Sequence, residues 1–153
     1  MIIVKNTQRT IKCNISQLTK EVRFILHALG YTGFDIGIWL TTNKTIRFYN
    51  REYRHKDKAT DILSFPYHTQ LKAGETIVVH SAEDKGLGDL IISMEYVQKA
   101  AHDLGVSLQE RMQVLLVHGI CHLLGYDHEL DEDYEIMHAK ESELLTQLKK
   151  QNK

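Results

Sequence analysis

His118-Gly-Ile-Cys-His122-Leu-Leu-Gly125-Tyr-Asp-His128 places three histidines at intervals of four and then six residues. On a helix, residues i and i+4 share a face, so His118 and His122 can grip one ion from adjacent turns. Gly125 then ends the helix in the left-handed conformation that glycine tolerates best, and the chain turns back to bring His128 in three residues later. Three neutral imidazoles suit a transition metal, most simply one zinc ion per chain, although nickel or another divalent ion also fits imidazole. Three protein ligands leave a tetrahedral ion one open position, the arrangement of a catalytic rather than a structural site.

The run matches every fixed position but one of the metzincin peptidase pattern H-E-x-x-H-x-x-G-x-x-H. At the second position, where the peptidases carry a glutamate base, this chain has Gly119. Glycine takes no proton, so the spacing is that of a peptidase without its base. Cys121 neighbours a ligand, yet on a helix it lies about 100° around from His122 and reads as a small buried apolar residue.

Outward from the motif, Val114-Leu-Leu-Val117 is almost wholly apolar, which implies a central buried helix. Ser107-Leu-Gln-Glu110 is a capping box that starts it. A last helix is expected from about Glu132 to Leu148, with Tyr134, Met137, Glu141, Leu144 and Leu145 along it. Met137 there reads as core packing, not as the methionine turn of metzincins. On the N-terminal side, Ile2 to Val4 reads as a short strand, and a helix capped by Ser16 runs to about Leu29. Phe34, Ile36, Ile38 and Leu40 alternate as in a strand, followed by a helix from Asn43 to about Tyr53 and a strand over Thr60 to Pro66. His68 to Gly86 is a polar hairpin or variable loop around a short strand, Ile77 to Val79. Leu87 to Ile92 is a strand, and Ser93 caps the next helix, to about Leu104. The pattern predicts an α+β fold: a single layered domain over 1–153, with a small mixed β-sheet packed by helices around the metal-binding helix, and 149–153 as a frayed tail.

Composition is that of a soluble globular protein: 153 residues, 42% hydrophobic and 25% charged, with a net charge of -1. That balance gives no global attraction to nucleic acid, so any such binding needs a local patch. Two cysteines offer no disulfide framework, MIIVKNTQRT does not read as a signal peptide, and no apolar run could span a bilayer. A cytoplasmic location with no membrane partner is expected.

The local patch exists. From Arg47 to Lys58 five basic residues (Arg47, Arg51, Arg54, Lys56, Lys58) face two acids (Glu52, Asp57), a local net of +3. This is either a solvated helix end complementing the helix dipole or a phosphate contact surface. An arginine near the metal could stabilise the charge gathered on a phosphodiester's non-bridging oxygens. Arg54 is the candidate, with Arg51, Lys56 and Lys58 as further RNA contacts. Asp127 either orients His128 or forms a turn. Asp61 either caps or orients Arg54 or begins the strand. Tyr126 reads as packing ahead of base stacking.

HGICHLLGYDH, together with Tyr53-Arg-His-Lys-Asp-Lys-Ala-Thr-Asp-Ile-Leu-Ser-Phe-Pro66, resembles the YbeY family of bacterial rRNA maturation factors, single-strand-specific metallo-endoribonucleases. Leu87-Gly-Asp-Leu-Ile-Ile-Ser93 is similar to the family's third landmark, and the resemblance runs from about Ile3 to the last helix. Ala59 stands where many members have proline, and Cys121 where many have leucine. The resemblance implies zinc on His118, His122 and His128, with Arg54 and His118 catalytic. It also implies a role in maturing the 3′ end of small-subunit rRNA and in ribosome quality control. Partners would be rRNA, the small ribosomal subunit and ribosomal or assembly proteins. The base is left open between metal-activated water, the RNA 2′-hydroxyl and His55. Two other readings compete: a non-catalytic zinc-containing assembly factor, whose RNA binding would survive Arg54→Ala, and a metallopeptidase-like hydrolase, which Gly119 disfavours.

Overall fold

The alternation over Asp35 to Thr41 organises the molecule. In the computed structural model, which describes residues 1–151, this segment is strand β2 (Asp35–Thr41). Ile36, Ile38 and Leu40 are buried on one face while Gly37 and Trp39 point to the other, as period-two geometry requires. Strands β1 (Ile2–Asn6), β3 (Ile62–Pro66) and β4 (Gly86–Ser93) complete a sheet of order β1-β2-β4-β3. β1, β2 and β4 run parallel, and β3 pairs antiparallel with β4. The α+β domain with a small mixed sheet is the architecture expected from the sequence.

Helices α1 (Ile15–Ala28), α3 (Met94–Leu104), α4 (Leu108–Leu123) and α5 (Asp131–Gln151) bury a common core against one face of this sheet. Leu18, Val22, Leu116, Ile120, Met137 and Leu144 meet Ile38, Leu90 and Ile92 there. α4 is the central element, touching α1, α3, α5, β3 and β4. Its capping box forms as expected: Ser107 Oγ accepts from the Glu110 amide and Glu110 Oε1 accepts from the Ser107 amide. Among the described residues the opposite face carries only α2 (Asn43–Arg54), whose Ile46 packs on Leu63 and Ile91.

α4 lies close to the sheet because residue 119 lacks a side chain. A Cβ on Gly119 would sit 2.7 Å from Ile62 Cδ1 and 2.9 Å from Leu90 Cδ2. A side chain at this position, which carries a glutamate in peptidases, would therefore press into Ile62 and Leu90 here.

Four expectations need correction. α1 is capped by Asn14, whose Oδ1 accepts from the Gln17 amide, not by Ser16. β3 begins at Ile62 rather than Thr60. No strand forms over 77–79: Val78 and Val79 are exposed, and Ile77 alone is buried, its amide donating to Tyr31 Oη. The loop closes instead on a short 3-10 turn, Ala82–Lys85. Finally, 149–151 are helical, since α5 keeps burying Leu144 and Leu148 and its last turn carries Lys149 and Lys150, cations that favour a helix C-terminus. Residues 152–153 of the expected tail lie outside the described residues.

Candidate metal centre and its cleft

The end of α4 builds the site. Gly125 has φ +92°, its amide donates to the His122 carbonyl, and the Tyr126 amide donates to the Cys121 carbonyl. These two bonds are the Schellman closure of a helix. A side chain at 125 would also strike the Leu71 carbonyl of the loop folded over the turn. The turn aims the Tyr126 carbonyl back at His122, whose Nδ1–H donates to it at 2.9 Å. Glu141 of α5 performs the same service for His118, accepting from Nδ1–H at 2.9 Å.

Both bonds fix the tautomer. With each Nδ1 carrying the proton, each Nε2 presents a lone pair. These two nitrogens lie 3.1 Å apart. Two lone pairs facing each other at that distance repel unless a cation lies between them. Nitrogens on a tetrahedral zinc, at about 2.05 Å each, would be about 3.3 Å apart. His128 completes the group: one nitrogen from each of the three rings falls within 4.8 Å of the others. The donor set thus fits a transition metal. Burial, reinforced by the two neighbouring histidines, holds the His122 imidazole well below its ordinary value, at about 4, so it stays neutral and ready to ligate.

Cys121 takes no part. It is fully buried in the core, and burial, with Glu141 nearby, pushes its thiol up to about 12. Met137 is likewise core, 1% exposed within α5. Tyr126 packs against the core.

In front of the histidines lies a cleft of about 630 Å³, bounded by the end of α2, by β3 and by the turn through Asp127 and His128. Arg54 lines it together with His118, His122 and His128. Arg47 is tied to Asp57 at 2.9 Å and Arg51 lies 3.4 Å from Glu52, whereas Arg54 makes no ion pair among the described residues. Arg47 in turn holds the Asp57 carboxyl below its usual range. Arg51, Lys56 and Lys58 are exposed but lie outside the cleft lining. His55 also lies outside it, as the left-handed C-cap of α2 at φ +59°.

Of the two readings the sequence leaves open for each aspartate, the structure gives Asp61 its place at the start of the strand and Asp127 the turn. Asp61 does not orient Arg54: its Oδ1 accepts from the Ile62 amide, and its Oδ2 faces Arg111 Nη2 at 3.4 Å. Asp127 Oδ1 accepts from the Glu129 amide, so it shapes the turn and holds no ligand histidine. Sequence reasoning missed the true partners, Glu141 and the Tyr126 carbonyl, and also Arg111. One signal was present: Glu141 shares the face of α5 that buries Met137, Leu144 and Leu148, and a carboxylate there needs a buried partner.

With this geometry in view, comparison with known proteins is decisive. The family model described as Endoribonuclease YbeY matches residues 3–149. The chain belongs to the YbeY family. The human protein named Endoribonuclease YbeY is 34% identical over 147 residues, which cover 96% of this chain and 87% of that one. The namesake from Sulfurihydrogenibium sp. (strain YO3AOP1) is 44% identical over 81% of this chain and 76% of its own. That from Aquifex aeolicus is 37% identical over 97% and 92%. The solution structure of TM1509 from Thermotoga maritima superposes with a TM-score of 0.61, covering 97% of this chain and 89% of that one, at 22% identity, and so speaks for the fold.

Proposed function

We propose that this YbeY-family chain is a zinc-dependent endoribonuclease that cuts single-stranded RNA in the cleft between Arg54 and the three histidines. In the cell this reading assigns it to maturation of the 3′ end of small-subunit rRNA and to ribosome quality control in the cytoplasm. The observation that carries it is that Arg54, with no ion-pair partner among the described residues, lines the same cleft as the three-histidine group. His118, His122 and His128 would hold the ion, which when bound supplies Lewis acidity toward phosphate and water.

The remaining chemistry belongs to the chain. Arg54 approaches a phosphodiester in the cleft and donates to its non-bridging oxygens, bonds that strengthen as negative charge gathers there. Glu141 and the Tyr126 carbonyl hold His118 and His122 in fixed orientation, so no reorganisation is needed during the reaction. Gly119 faces the core and supplies no base. Arg51, Lys56 and Lys58, exposed on the same segment of chain as Arg54, serve as phosphate contacts for the flanking strand.

The test is cleavage of an RNA with a single-stranded 3′ tail by metal-loaded, chelator-stripped and zinc-restored protein. The tail is expected to be cut by the first and third only, with duplex spared. A 2′,3′-cyclic phosphate product identifies attack by the RNA 2′-hydroxyl, and a plain phosphate identifies attack by water. Unchanged cleavage after stripping would contradict the metal reading. Tail binding with no cleavage by fully loaded protein would favour an assembly factor.

A further inference from the structure

The face of the sheet that carries α2 holds a second concavity, of about 420 Å³, within the range of small-molecule sites. Strand register puts two rows of side chains on this face. One row is Ile3, Gly37, Asp89 and Phe65, and the next is Lys5, Trp39, Ile91 and Leu63. Tyr49 and Tyr53 of α2 stand beside them, their rings parallel with centres 6.1 Å apart. Trp39 meets Tyr49 edge-on at 5.7 Å, and Tyr53 meets Phe65 edge-on at 5.2 Å. An aromatic row therefore runs from Trp39 to Phe65. Tyr53 and Phe65 also line the histidine cleft, so the two concavities are neighbours that share these rings as walls.

The floor of this groove is not apolar. Asp89 is exposed there, and its carboxylate lies across Gly37 of the neighbouring strand, where any side chain would collide with it. Asp57 and Asp61 are taken up by Arg47 and Arg111, but Asp89 has no ion-pair partner among the described residues. Aromatic walls with a free carboxylate on the floor match a nucleobase: the rings stack on its faces and the carboxylate accepts from its edge. Lys5 Nζ, 5.0 Å from the centre of the Trp39 ring, is a cation available to the attached phosphate.

We infer that this groove is a base-reading subsite for single-stranded RNA, in which Asp89 selects guanine in a nucleotide flanking the cleaved bond. Guanine offers two parallel donors, N1–H and N2–H, to a carboxylate. Uracil offers one N–H between two carbonyl oxygens that a carboxylate repels. The inference rests on the nuclease reading for its substrate class, and it assigns that substrate a sequence preference and a path over Tyr53 and Phe65.

Trp39 is the single tryptophan of the chain, so its fluorescence reports the groove directly and without catalysis. The experiment titrates metal-loaded protein with two cleavage-resistant 2′-O-methyl strands: hexauridylate, and the same strand with one central guanosine. Half-saturation is expected at about tenfold lower concentration for the guanosine strand, the discrimination typical of one bidentate base contact. Asp89→Asn should remove that difference, chiefly by weakening binding of the guanosine strand. The two wild-type titrations decide the matter even without the variant. Equal half-saturation for both strands overturns base reading. A Trp39 signal that never responds, in protein that still cuts RNA, overturns the subsite and leaves the nuclease standing. Guanosine-selective binding in protein that cuts nothing supports the subsite while removing the nuclease. A response to ribosomal protein with none to RNA makes the groove a protein-docking face and overturns the inference.

Discussion

Glu141 reaches His118 from a helix that starts after the histidine motif has ended, and its 2.9 Å bond decides which ring nitrogen faces the cleft. Glu141→Gln keeps the shape but removes the charge that makes the imidazole a stronger donor to metal. A loss of about 10- to 100-fold in zinc affinity is expected, measured by competition with a chromophoric chelator, with the fold intact by circular dichroism. Unchanged affinity would reduce Glu141 to packing. At this scale the three histidines are legible in the sequence, because spacing alone fixes a shared helix face and a return turn. Glu141 and Arg111 are not, because each pairs with a group at least 23 residues away along the chain. No local pattern records such a meeting. Arg54 stands between these cases: its charge is visible, but its place in the histidine cleft depends on the α2–β3 turn. That turn is pinned by buried Asn50, whose Nδ2 donates to the Lys58 carbonyl.

Elements whose own sequence satisfies their ends and faces were readable in advance. The Ser107–Glu110 box and the alternation of β2 needed no tertiary information. The segment 77–79 has the β-branched residues of a strand, but both edges of the sheet lie elsewhere, at β1 and β3, and a strand without a neighbour has nowhere to place its amides. Gly119 looked like the absence of a base; its structural role is to let α4 settle onto β3 and β4. Gly119→Ala would force Ile62 and Leu90 aside. The overpacking should cost about 1–3 kcal/mol, read as a lower urea midpoint at unchanged slope. A midpoint equal to wild type would show that the helix has room to spare. Gly119→Glu, by the same geometry, should unfold the protein rather than confer peptidase activity.

For the whole molecule, metal binding and folding are linked through the histidines. His122 is held near 4 in the folded chain against an ordinary value of 6.5. Between those values the unfolded chain binds a proton that the folded one refuses, so stability rises with pH. The metal-free protein should therefore keep this contribution above about pH 6.5 and lose it progressively toward pH 4. Thermal melts of stripped protein across that window check the sign, and a melting temperature that rises on acidification would contradict it. Loaded protein should stay more stable throughout, by an amount that shrinks as acid displaces the ion. No described helix is long and apolar enough to cross a membrane.

The central claim is that Arg54 and the three histidines act on one phosphodiester. Single-turnover cleavage of a single-stranded RNA by wild type and Arg54→Ala, purified identically and each with its metal quantified, tests it most directly. The account predicts equal metal content and a rate lower by about 10²- to 10³-fold in the variant, the usual cost of removing one donor from a developing oxyanion. Equal rates at equal metal content would contradict it.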